Sequence, residues 1–176
     1  MLGITKKDML CYFDEINQRL VAKNKHAEIM LVGGAALMLA FDTRNATYDI
    51  DAIFYPNHDM EEIIQNMAEV HELESDWLND SAKVFVTNKM TFSTLRTYSN
   101  LTISNADAES LLAMKLIAAR PYAKDMDDSV FLMKTLNIKS EQQAWGIVEK
   151  YTWRSQQTSK VKEFTAEAYE RYRRDI

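Results

Sequence analysis

The chain is poor in the residues that break or staple a fold. Its 176 residues include one cysteine, two prolines and four glycines. A lone Cys11 excludes an internal disulfide and a cysteine-rich metal site, and it fits a reducing cytoplasm. So few glycines and prolines exclude long flexible linkers. The first residues, MLGITKKDML, lack the apolar stretch of a secretion signal, and no run approaches the roughly 18 apolar residues of a membrane span. An excess of basic charge is missing too. The formal net charge is −5, which argues against bulk electrostatic binding of nucleic acid. There is no internal repeat and no low-complexity tract. What remains is an ordinary hydrophobic content of 47%, enough for the core of one cytoplasmic domain, alone or with a helical appendage.

Periodicity divides the chain into elements. Thr5 reads as an N-cap with Asp8 three residues on, and Met9, Tyr12, Phe13, Ile16 and Leu20 recur at helical spacing over residues 6–24. Ile29–Val32 reads as a buried strand, Ala35–Phe41 as a small packed helix, and Tyr48–Tyr55 as a second strand stopped by Pro56. His58–Leu73 carries a helical stripe of Met60, Ile63, Ile64, Met67 and Val70. Ser75 or Asp76 is placed to cap a short helix through Val84. Residues 91–104 are Thr-rich and read as a hairpin turning at Ser99-Asn100. Helices follow from Asp107 to Arg120, ended by Pro121, then over Asp125–Leu136, Glu141–Tyr151 and Val161–Arg174. The order predicts an α/β or α+β fold with a small mixed sheet. Residues 1–104 form its core and residues 105–176 a helical part packed on it.

The stretch from Leu31 to Phe54, LVGGAALMLAFDTRNATYDIDAIF, carries the chemistry. Gly33-Gly34 follows a strand and opens a helix, where backbone N–H groups can face a phosphate and the missing Cβ permits close approach. A tight strand–helix turn needing glycine for packing alone is the other reading. Asp49 and Asp51 are two residues apart on an expected strand, so both project from one face, about 6–7 Å apart. Such a pair repels itself unless a cation intervenes. Mg²⁺, which takes one or two carboxylates plus substrate phosphates, suits it. Two acids facing water at a strand end is the alternative.

Gly-Gly after a strand, then Asp-x-Asp in the next, resembles the signature of the nucleotidyltransferase fold of the DNA polymerase β superfamily. The Arg44-x-x-Thr47-x-Asp49-x-Asp51 context is similar to the bacterial nucleotidyltransferase-like proteins related to abortive-infection toxin–antitoxin toxins. Leu111-Leu112-Ala113-Met114-Lys115-Leu116 and Lys124-Asp125-Met126-Asp127-Asp128 match two further segments of that branch. The resemblance spans roughly residues 28–136. It implies transfer of a nucleoside monophosphate from an NTP to an acceptor, whether RNA, protein or small molecule, with Mg²⁺ or Mn²⁺ as cofactor. It implies Asp49 and Asp51 as metal ligands and Gly33, Gly34, Arg44, Thr47 and Lys115 as nucleotide contacts. It makes Asp128 a base or an organiser of Lys115. It also implies a protein partner, as in a toxin–antitoxin pair, or a homo-oligomer.

Lys115 is informative without the family, because it sits on or beside an apolar helical stripe. Either its stem snorkels to water or its head enters a polar cleft. Asp125 and Asp128 share a face at a helix start, where capping and the helix dipole offer a structural reason for acids. One departure stands against the pattern. The superfamily places a third carboxylate on a later strand, and residues 92–104 contain no Asp or Glu. A member of the fold that binds a nucleotide or a protein without turnover is therefore the alternative function. Trp77 reads as core, and the basic residues of the last helix as a solvated face.

Overall fold

The computed structural model describes residues 3–120 and 124–175. They form two units. The first holds the described residues up to Val84 together with Phe92–Ala106, and the second holds Phe85–Thr91 and the described residues from Asp107 onward.

The first unit begins with a cap. Thr5 closes a two-residue strand, β1 (Ile4–Thr5), and opens α1 (Lys6–Ala22). The Asp8 N–H donates to Thr5 Oγ1 (3.2 Å), and the Thr5 N–H donates to Asp8 Oδ2 (3.0 Å). This reciprocal pair satisfies two amides that a helix end leaves open. The same Thr5 contacts hold the Asp8 carboxyl below the usual carboxylate value. Thr5→Ala is expected to cost about 1 kcal/mol, read as a lower urea midpoint. An unchanged midpoint would show that the cap contributes nothing. Met9, Phe13, Ile16 and Leu20 are buried along one stripe of α1, as their spacing predicts, and Tyr12 stays half-buried at its edge.

The chain continues through β2 (Ala27–Leu31), α2 (Gly33–Phe41), β3 (Ala46–Thr47), β4 (Ile50–Tyr55), α3 (Asn57–His71), β5 (Leu78–Asn79), and the hairpin β6 (Phe92–Thr97) and β7 (Leu101–Ala106). The five-stranded sheet has the order β5-β4-β2-β7-β6, and β1 pairs separately with β3. β2 runs antiparallel to β4 and parallel to β7. The register places Leu31 between Ala52 and Asn105, and Ile29 between Phe54 and Ile103. Those six residues are all buried, on one face of the sheet. By strand alternation, Met30, Asp51, Ile53 and Ser104 project from the other face. α1 packs on β7, α3 on β4, and α2 on both. The outer strand β6 is exposed along most of its length, and its register shifts between Thr94 and Arg96.

Three expectations are corrected here. The short helix expected from Ser75 or Asp76 through Val84 is instead a turn, β5 and a 3₁₀ segment (Ser81–Phe85). Leu78 and Asn79 find strand partners in Ile50 and Asp51, and Trp77 is buried with its indole N–H donated to the Ile64 carbonyl (3.1 Å). Tertiary pairing overrides local helix capacity in this stretch. The second strand starts at Ile50 rather than Tyr48, because Thr47 pairs with Ile4 first. The third helix starts at Asn57, directly after Pro56, and Val70 of its expected stripe is exposed, with Ala68 buried beside Met67 instead.

The second unit is helical: α4 (Ala108–Ala118), α5 (Asp125–Thr135), α6 (Glu141–Tyr151) and α7 (Ser159–Arg174). Asp107 caps α4, accepting the Ser110 N–H at 2.7 Å, and the Thr91 hydroxyl donates to its second oxygen. α4 ends before Arg120, because Ala119 turns to φ 46°. Pro121, expected to end it, lies outside the described residues. α4 packs against α5, α6 and α7. Val161, Phe164, Ala168 and Tyr172 bury the inner stripe of α7. Arg171 and Arg173 on its outer side pair with Asp127 and Glu170, a solvated face as the pattern predicts. Among the described residues, no helix is long and apolar enough to cross a membrane.

Candidate functional site

The first unit brings five of the expected residues together at the start of α2. Gly33 has φ +60°, a left-handed backbone that L side chains rarely adopt. A Cβ there would lie 2.7 Å from Asp51 Oδ2. A Cβ on Gly34 would lie 3.0 Å from Arg44 Nη1 and 3.3 Å from Thr47 Oγ1. The absent side chains are therefore filled by a carboxylate, a guanidinium and a hydroxyl. Val32 caps the helix with extended backbone and contributes no side-chain bond. The first amides of α2 thus meet no side chain of their own cap, at the end of the helix whose dipole favours anions.

The strand register explains why these groups converge. β2 and β4 are antiparallel neighbours, and the Val32 N–H donates to the Asp51 carbonyl at 3.0 Å. That bond sets Asp51 beside the Gly33 turn. Arg44 and Thr47 arrive on the segment that links α2 to β4, and the pairing of Thr47 with Ile4 anchors it. Asp49 differs from the expectation. It lies in the bend before β4 and is exposed, so the alternation of the strand does not govern its direction, whereas Asp51 lies inside the strand and is half-buried. Asn79 of β5 sits beside Asp51 in register, a neighbour that only strand pairing reveals.

Lys115 and Asp128 belong to the second unit. The Lys115 ammonium lies 2.8 Å from Asp125 Oδ1 and 2.9 Å from Asp128 Oδ2, with its side chain only 12% exposed. It neither snorkels nor stands open in a cleft; two acids hold it. Arg120 adds Nε and Nη2 to Asp125 at 2.5 and 3.2 Å. Burial pushes the Asp125 carboxyl up, but the Arg120 and Lys115 contacts outweigh it and hold the group below the usual carboxylate value. Asp125 is thus the centre of an ion cluster rather than a side-chain cap; no such cap bond is made at the start of α5. The i, i+3 spacing of Asp125 and Asp128 puts them on one face, but their cation becomes visible only when α4 packs on α5.

The hairpin strands carry no third acid, and Glu28 of β2, the other acid within the sheet, accepts the Ser104 hydroxyl at 3.2 Å. β6 and β7 contain neither Asp nor Glu, and Ser104 occupies the face that Asp51 shares. Among the described residues, no group of three or more His, Cys, Asp or Glu is placed to hold a metal.

A mixed sheet with Gly-Gly opening the helix after one strand and an acid on its antiparallel neighbour is the arrangement that the resemblance to a nucleotidyltransferase fold implies. The chain belongs to the family described as nucleotidyltransferase of unknown function (DUF6036), whose profile matches residues 7–176. Among solved structures it is similar to an antigenic nucleotidyltransferase-like protein from Paracoccidioides brasiliensis, with 12% identity and a TM-score of 0.46, covering 91% of this chain and 94% of that one. No curated protein matches it in sequence.

Proposed function

We propose that the chain transfers a nucleoside monophosphate from an NTP to an acceptor hydroxyl, with Mg²⁺ or Mn²⁺ as cofactor. One observation carries the reading. The side-chain space of Gly33 and Gly34 is filled by Asp51, Arg44 and Thr47 at the mouth of α2. A phosphate chain set there meets backbone amides, the helix dipole and a guanidinium. The proposal rests on the first unit alone.

The donor set fits the cation. Asp49 and Asp51 offer hard oxygen ligands, and Mg²⁺ usually takes one or two carboxylates with substrate phosphates completing the shell. When bound, it would neutralise charge on the phosphoryl oxygens. The chain's own part is positioning. Gly33 lets the Asp51 carboxylate stand against the turn, Arg44 balances anionic oxygens, and Thr47 offers a hydroxyl donor.

A second reading has its own observation, the absence of Asp and Glu from β6 and β7. On it, the chain binds a nucleotide or a protein without turnover, as one half of a toxin–antitoxin pair would. Incubation with each α-labelled NTP, Mg²⁺ or Mn²⁺, and cell lysate or mixed tRNA separates the two. Label transfer that is lost in Asp49→Ala and Asp51→Ala is the expected result, with a fall of a hundredfold or more (roughly the scale of a lost charge-stabilising group). Metal-dependent NTP binding without transfer would select the second reading. Absence of both would remove nucleotide chemistry altogether.

A further inference from the structure

We propose that Tyr48 is a stacking platform for the base of the bound nucleotide, an assignment that rests on nucleotide binding at the Gly33–Gly34 turn. Thr47 is buried, its hydroxyl set against Gly34. Tyr48 follows it, one Cα step or ~3.8 Å away, and is 73% exposed. Among the described residues, no hydrogen bond or ring contact engages its side chain. Tyr12 in the same unit is partnered by comparison. Tyr12 lies 5.3 Å from the His71 ring and 5.1 Å from Trp77, centroid to centroid.

The position of Tyr48 is tied on both sides. Thr47 pairs with Ile4, and the Ile50 N–H donates to the Trp77 carbonyl at 2.7 Å. An aromatic ring left in water on a tethered backbone has a ready-made face to offer another ring, and little ordering remains to oppose the contact. Its neighbours select the kind of ring. With phosphates held by the α2 amides and Arg44, the aromatic part of the same ligand is a nucleobase, joined to them through one ribose. Every base has a stacking face, so the platform accepts all four and favours the larger purines by degree.

Tyr55 supplies an internal control. It is 72% exposed, but it ends β4 at the side away from the Gly33 turn. Calorimetry with ATP, CTP and inorganic tripolyphosphate, each with Mg²⁺, distinguishes base from phosphate. Tyr48→Ala is expected to weaken ATP binding roughly 5- to 150-fold, to narrow the gap between ATP and CTP, and to leave tripolyphosphate unchanged. Tyr48→Trp is expected to keep or tighten ATP binding, and Tyr55→Ala to match the wild type. Unchanged ATP affinity in Tyr48→Ala would overturn the assignment. So would an equal loss of ATP and tripolyphosphate, which marks damage to the phosphate contacts. A wild-type protein that binds neither ligand would overturn the nucleotide site itself, a result separate from the other two.

Discussion

Gly33→Ala is expected to remove nucleotide transfer while leaving most of the fold in place. Two effects act together. Alanine at φ +60° carries a backbone penalty of about 1–2 kcal/mol. Its methyl would also stand 2.7 Å from Asp51 Oδ2, closer than real Cβ contacts come. The carboxylate or the turn must shift, and a displacement of about 1 Å at a reacting centre can reduce turnover roughly a hundredfold. The expected outcome is a fall in transfer of at least that size, with a melting point lowered by only a few degrees. Gly34→Ala should be milder, because its nearest neighbour is the end of the flexible Arg44 side chain, at 3.0 Å. Gly146 has no neighbour within 4 Å of its missing Cβ and lies inside α6, so Gly146→Ala serves as a neutral or slightly stabilising control. Wild-type transfer in Gly33→Ala would show that the close approach of Asp51 has no functional weight.

Lys115→Met is expected to give the largest loss of stability. It keeps the stem and removes the ammonium, leaving Asp125 and Asp128 buried with one cation fewer. Removing one partner of a buried ion cluster costs about 3–5 kcal/mol, or about 10 °C in a chain of this size. Adding Asp128→Asn should recover part of the loss, since neutralising both partners removes the stranded charge. A melt of Lys115→Met that overlays the wild type would show the cluster to be idle.

The same cluster sets a pH dependence. The Asp125 pKa is lowered on folding. Its contribution is therefore complete above the unfolded value of 3.8 and is lost as pH falls through the lower folded value. Wild-type stability should decline below about pH 4 through this group, and Asp125→Asn should flatten that part of the profile while lowering stability at neutral pH.

How much of this was legible in the sequence depends on the range of the interaction. α1 and α3 are readable because their apolar spacing is local, and the Thr5–Asp8 box names its own helix start. Gly33-Gly34 and Asp51 are readable as types of residue, and the strand–helix–strand order brings them together. β5 is not readable. Leu78 and Asn79 are a strand only because Ile50 and Asp51 lie alongside. β1 and β3 are two-residue strands for the same reason, and their pairing moves the start of β4 past Asp49. The acids at 125 and 128 announce a shared face, but Lys115 reaches them across a helix–helix contact that no spacing within one helix encodes.

The pairing of Ile4–Thr5 with Ala46–Thr47 has one more consequence. It joins residues about forty apart in sequence and clamps the segment carrying Arg44, Thr47 and Tyr48 against the start of the chain. Gly3 extends the clamp, since its missing Cβ would lie 3.0 Å from the Thr47 carbonyl oxygen. The disorder of that segment is thus removed when the chain folds rather than when a ligand arrives. The opening residues act as a splint: shortening or burdening them would blunt the Gly33–Gly34 turn while every side chain that touches it stayed the same.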